Sequence, residues 1–107
     1  MTNQYSKEEL ETRLKSDDSD EAIDALMYSC FNVNDPEWIQ DKCVQVIRTS
    51  NNDDLKGLGI TCLGHVARIH AKIDKEKIVP VLTELLEDVS LSGRAQHALD
   101  DIETFVK

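Results

Sequence analysis

Aromatic side chains are scarce in this chain, at 5% of residues, while Leu, Ile, Val and Ala are plentiful. That balance favours helix packed on helix over a β-sandwich, and strand-like alternation of apolar and polar residues occurs nowhere. No apolar run approaches the ~18–20 residues needed to span a bilayer. Positive charge is also in short supply: 12 Lys and Arg face 21 Asp and Glu, for a net charge of −9. Phosphate backbones need Lys and Arg to displace their counterions, so nucleic acid is excluded as a partner, and anionic membranes with it. Acidity of this degree suits a basic protein partner, whose encounter rate it raises, or it serves solubility alone. Disulfide and metal signatures are missing too. Cys30, Cys43 and Cys62 are odd in number, lack C-x-x-C spacing and sit among apolar residues at helical intervals. Buried free thiols in a reducing compartment are expected. Met1-Thr2-Asn3-Gln4-Tyr5 carries neither the basic nor the apolar region of a signal peptide, and the expected location is cytoplasmic.

What remains is helix-forming sequence, enough for a single domain over residues 1–107 that buries roughly two-thirds of its unfolded surface. Ser6-Lys7-Glu8-Glu9 reads as a capping box, predicting a first helix over about Lys7 to Lys15 with Leu10 and Leu14 inward. Ser16-Asp17-Asp18-Ser19 breaks it and supplies Ser19 as the next cap. The second helix, about Asp20 to Asn32, turns Ala22, Ile23, Leu26, Met27 and Cys30 inward. Asp35-Pro36-Glu37 is the clearest start in the chain, with Asp35 as cap and Pro36 in the first turn. Trp38, Ile39, Cys43, Val46 and Ile47 form that helix's apolar face. The fourth helix, about Asp54 to Ala71, is apolar around most of its circumference and is expected to be central. Asp74 caps a fifth, about Lys75 to Asp88, in which Pro80 marks either a kink or a later start. Ser90 or Ser92 opens the sixth, about Gly93 to Val106.

The even-numbered helices resemble one another. Gly59, Cys62, Leu63, Val66 and Ile69 lie 36 residues before Ala95, Ala98, Leu99, Ile102 and Phe105, and Ala22, Ala25 and Leu26 lie 37 before Gly59, Cys62 and Leu63. The shared pattern is small-x-x-small-Leu, at a period typical of stacked helical hairpins. Asp35-Pro36-Glu37-Trp38, followed by Asp54-Leu55-Lys56-Gly57-Leu58-Gly59-Ile60-Thr61-Cys62-Leu63-Gly64, resembles a HEAT repeat. Arg94-Ala95-Gln96-His97-Ala98-Leu99 resembles it again, with Asp100 where glycine is expected. The first unit departs most, lacking the basic residue and carrying Met27 at the glycine position. The fold expected is all-α: about six helices in HEAT-like antiparallel pairs, a short right-handed α-solenoid. HEAT-like proteins share scaffolding and binding rather than an activity. From Asp35 to Lys107 the chain also resembles small, acidic, helical bacterial immunity proteins of contact-dependent growth inhibition systems. That resemblance implies a cytosolic antidote that binds a nuclease toxin and blocks its active site.

Catalytic and metal chemistry find little purchase. His65 and His70, five apart on one helix, point about 140° from each other and do not converge on one ion. There is no phosphate loop and no H-E-x-x-H; the paired carboxylates Asp17-Asp18 and Asp100-Asp101 read as solvated or capping groups. No enzyme, metal or cofactor is expected. A polar stripe is left over. Thr61 falls in register with Asp24 and His97, His65 with Tyr28 and Asp101, and Arg68 with Phe31 and Thr104. Together with Asp100, these residues are the expected protein-binding face on the second layer of helices, with Tyr28 and Phe31 as aromatic anchors; a plain solvated face is the alternative. Two functions follow. One is a toxin-neutralising immunity protein in a 1:1 complex with a basic toxin domain; the other is a small HEAT-like adaptor or regulator within a larger assembly.

Overall fold

The computed structural model describes residues 5–107, so Met1–Gln4, part of the segment read for a leader, lie outside the described residues. Six helices make up the described chain: α1 (Lys7–Leu14), α2 (Ser19–Asn32), α3 (Pro36–Thr49), α4 (Asp53–His70), α5 (Lys75–Leu85) and α6 (Ser92–Phe105). No strand occurs among the described residues. Local chemistry explains most of the boundaries. The Ser6 hydroxyl accepts from the Glu9 amide at 3.1 Å while the Glu9 carboxylate accepts from the Ser6 amide at 3.1 Å, closing the capping box. Asp35 accepts from the Trp38 amide with Pro36 in the first turn, and Asp74 accepts from Lys77.

Several expected boundaries move. Asp18, not Ser19, caps α2 by accepting from the Asp20 amide, because its carboxylate is the stronger acceptor at the positive helix end. Asn52 caps α4, bonding two amides. Pro80 lies inside α5, which starts where Asp74 caps it. The proline lies exposed on the helix surface. Neither Ser90 nor Ser92 caps α6: Leu91 holds that position without a side-chain bond, while Ser90 folds back on Asp88.

The helices stack in two layers. Asn52 of the α4 cap bonds Ser19 at the start of α2, and the Cys30 thiol of α2 donates to the Cys62 carbonyl of α4. The two contacts follow the same order along both helices, so α2 and α4 run parallel. Arg94 over Gly57 and Asp101 over Gly64 set α6 parallel to α4 in the same way. In the other layer, Lys7 pairs with Asp35, Glu11 with Lys42, and Asp41 with Lys77, aligning α1, α3 and α5. The buried amide of Gln40 clamps the chain between α4 and α5, its Oε1 accepting from the Asp74 amide at 2.9 Å. The core between the layers holds Leu26, Ile39, Cys43, Ile60, Leu63, Val66, Ile78, Leu82, Ala95, Ala98 and Ile102. Helix α4 contacts α2, α3 and α6, as its all-round apolarity predicted. The radius of gyration, 13.1 Å, is that of an ordinary globule of this length, so three pairs are too few to open into an extended superhelix.

Exposure departs from the apolar pattern at two positions. Met27, expected inward, is 43% exposed, and Ile69 near the end of α4 is 55% exposed. Trp38 is half-buried, with the ammonium groups of Lys7 and Lys42 over its ring at 5.8 and 5.5 Å. The three cysteines are buried free thiols.

Candidate functional site

All ten stripe residues fall on α2, α4 and α6. Asp24, Phe31, Thr61, Arg68, His97, Asp100 and Thr104 are exposed, and Tyr28, His65 and Asp101 are half-buried. Their neighbours differ from the register pairs by about one helical turn. His65 meets Phe31, edge to face with centroids 4.5 Å apart, rather than Tyr28. Asp101 meets Arg68, its carboxylate 3.6 Å from the guanidinium Nε, rather than His65. Sequence equivalence identifies matching positions in successive units, whereas contact is made by side chains leaning toward the helix N-terminus.

At the centre of the face lie Phe31, 61% exposed, and His65. The His65 ring is held on one side by Phe31, while its Nδ1 lies 3.4 Å from Arg68 Nη2. Its Nε2 is shielded from solvent without a hydrogen-bond partner. Burial, then the charges of Arg68 and His70, hold this imidazole below the ordinary histidine value against an opposing pull from Asp101. The ring is therefore kept neutral, a flat half-apolar surface beside Phe31.

Two grooves flank this centre and carry opposite charge. Beside α1 and α2, a groove of about 550 Å³ is lined by Asp18, Asp20, Glu21 and Asp24, with Tyr28 at its wall. Arg13 is the basic residue there, and it lies over the Tyr5 ring at 4.6 Å. Between α4 and α6, a groove of about 320 Å³ is lined by Thr61, Arg68, Arg94, His97 and Asp101. Arg94 Nη1 donates to Thr61 Oγ1 at 2.9 Å and lies 3.4 Å from the Gly57 carbonyl. Asp100 is turned aside, accepting from Gln96 at 3.0 Å.

Glycines set this geometry. A Cβ on Gly57 would stand 2.8 Å from Arg94 Nε, and one on Gly64 would stand 2.8 Å from Asp101 Oδ2 and 3.3 Å from the Ala98 backbone. Both therefore seat charged side chains of α6 on the surface of α4. Gly59 faces the other way, toward Ile47 and the Cys43 carbonyl of α3.

Arg94, Met27 and Ile69 are surface residues that sequence patterning does not single out: Arg94 stands within a repeat motif, and Met27 and Ile69 lie in helices with apolar residues on several sides. The missed signal was the register itself: Arg94 precedes His97 by one turn and shares its face. Among the described residues no cluster of His, Cys, Asp and Glu is arranged to hold a metal ion, and no helix is long and apolar enough to cross a membrane.

No protein-family model matches this chain, and no curated protein sequence does. Among solved structures, the chain is similar to one in the crystal structure of a CDI complex from Cupriavidus taiwanensis LMG 19424. The likeness has a TM-score of 0.83 at 29% sequence identity, and it covers 98% of this chain and 97% of that one.

Proposed function

We propose that this protein is an immunity protein of a contact-dependent growth inhibition system, which neutralises a toxin domain by binding it rather than by catalysis. The observation that carries the reading is the end-to-end likeness, 98% of this chain against 97% of the other, to a chain of a CDI complex. The face on α2, α4 and α6 supports it independently, since an exposed aromatic centre flanked by charged grooves has the make-up of a hot spot with a polar rim. The acidic α1–α2 groove and the net charge of −9 favour a basic toxin domain, nuclease-like in its charge, bound 1:1. On this reading the protein acts in the cytoplasm and uses no cofactor.

The stack of parallel helices, with contacts between residues 33 to 37 apart at Arg94–Thr61 and Arg94–Gly57, also supports describing the units as HEAT-like. It is the observation behind the second reading, a small adaptor within a larger assembly. Co-expression with the toxin domain encoded immediately upstream separates the two. The immunity reading predicts restored growth and a 1:1 complex whose association slows as salt rises. Persistent toxicity with no complex contradicts it, and co-purification of a housekeeping assembly favours the adaptor.

A further inference from the structure

We propose that the α4–α6 groove receives a carboxylate side chain of the toxin domain, held by the guanidinium groups of Arg94 and Arg68. The inference rests on the immunity reading and adds the chemistry of one contact. In a chain of net charge −9, this groove presents two guanidiniums against the single carboxylate of Asp101. That carboxylate is engaged by Arg68. Arg94 takes part in no ion pair among the described residues, and it is exposed. Its Nη1 is engaged by Thr61 and the Gly57 carbonyl. A guanidinium carries five N–H donors in a rigid fork suited to a carboxylate, so the remaining ones are available to a partner.

The fork is also fixed in advance. Any side chain at residue 57 would collide with Arg94 Nε, so Gly57 is what allows the arginine to lie across α4. Thr61 then holds its end. An arginine ordered before binding loses little freedom when it closes on an anion. Arg68 joins this groove to the aromatic centre, because it also contacts His65, which packs on Phe31. The anion site is thus part of the face that meets the partner. A polyanion is disfavoured there, because the surrounding surface is acidic and repels phosphate chains. A single acidic residue on an otherwise basic domain meets no such penalty. With its acidic groove beside α2 and its cationic groove beside α6, the face has a charge polarity that fixes the toxin's orientation.

The test uses the full chain and the toxin domain encoded upstream. Binding is measured for wild type, Arg94→Gln, Arg68→Gln, Gly57→Ala and the distant control Lys75→Gln, with thermal melting of each. Either arginine change should weaken binding at least about tenfold, mostly through faster dissociation, with Lys75→Gln within twofold of wild type. Gly57→Ala should weaken binding with the charge retained, because it displaces Arg94. Reversing the toxin's Asp and Glu residues singly should identify one whose loss of wild-type binding is recovered against Arg94→Glu. That scan reads the same contact from the toxin's side, and recovered binding shows in itself that Arg94→Glu is folded. Unchanged binding by both arginine variants, with wild type still bound tightly, overturns the inference and leaves the immunity reading standing. Failure of wild type to bind the toxin removes both. Arginine variants that keep the toxin but lose inorganic phosphate show a phosphate site and also overturn it.

Discussion

At the scale of single residues, the two glycines that seat α6 on α4 make opposite predictions. Alanine at Gly64 places a methyl 3.3 Å from the Ala98 backbone as well as 2.8 Å from the Asp101 carboxylate, and backbone does not yield cheaply. Gly64→Ala should therefore lower stability by about 1–3 kcal/mol, despite the ~1 kcal/mol gained in helix propensity. Alanine at Gly57 meets only the flexible end of Arg94, so its melting temperature should stay level or rise. Thermal melts of the pair check both. The Asp100-Asp101 pair divides in the same way. Asp100 is exposed and bonded only to Gln96, so Asp100→Lys should melt like wild type. Asp101 is half-buried beside Gly64 and Arg68, so Asp101→Lys should lower the melting temperature whatever it does to binding. The sequence register puts both on one polar stripe, and the two differ in burial. What it lacked was the reach of the Arg68 side chain, which meets Asp101 one turn away from its register position although Gly64 and Asp101 stand nearly in register.

The imidazole of His65 gives a pH prediction. Its folded value is depressed by burial and by Arg68 and His70, so below about pH 6.5 the unfolded chain binds more protons than the folded one. Stability from this group is present above that range and is lost as pH falls through it. Wild type should lose melting temperature between pH 7.5 and 5.5 by more than His65→Gln does. Equal losses in the two proteins contradict the assignment. The thiols yield a prediction of a different kind. The Cys30 thiol is pushed up by its bond to Cys62 and by burial. At Cys62 the bond to Cys30 lowers the value, but the bond to Cys43 and burial outweigh it. With little thiolate at Cys30 and Cys62, and with all three thiols buried, none should react with iodoacetamide at neutral pH until denaturant is added.

At the scale of elements, the caps carry most of what sequence made readable. Ser6, Asp35 and Asp74 sit where the chemistry of orphan amides requires them, and each was identifiable from three or four neighbouring residues. The sixth helix was harder to place because Leu91, its N-terminal flanking residue, is held by burial rather than by a side-chain bond. The end of α4 was equally hidden. Ala71 closes it in a left-handed conformation, φ 52°, which L residues other than asparagine seldom adopt. The position is one that glycine fills without strain. Ala71→Gly should stabilise the protein by about 0.5–1 kcal/mol and raise the melting temperature by a few degrees. A fall would show that the Ala71 methyl makes contacts worth more than the strain it carries. Apolar periodicity located α2 and α4, but not the outward turn of Met27 and Ile69, because a helix with apolar residues on several sides does not declare which side faces solvent.

At the scale of the whole molecule, the six-helix all-α architecture was legible from composition, breaks and caps together. Three short pairs in two layers follow from turns too short for any other connection between neighbours. The candidate face was legible as a set of positions, but not as a distribution of charge. Net charge is a sum, and it concealed a cationic groove on an acidic protein: Arg94 and Arg68 stand together only because α4 and α6 run parallel. The face therefore reads as an aromatic centre of Phe31 and His65 between grooves of opposite sign. Truncating that centre belongs to this scale, since it probes the surface as a unit. Phe31→Ala removes a largely exposed ring and should leave folding intact, while weakening toxin binding at least about thirtyfold if the ring is a hot spot. The most direct measurement is isothermal titration of wild type and Phe31→Ala with the toxin domain encoded immediately upstream. A tight 1:1 complex for wild type and a much weaker one for a folded Phe31→Ala is the predicted result. No binding by wild type, or equal binding by both, contradicts the claim that this face neutralises a toxin.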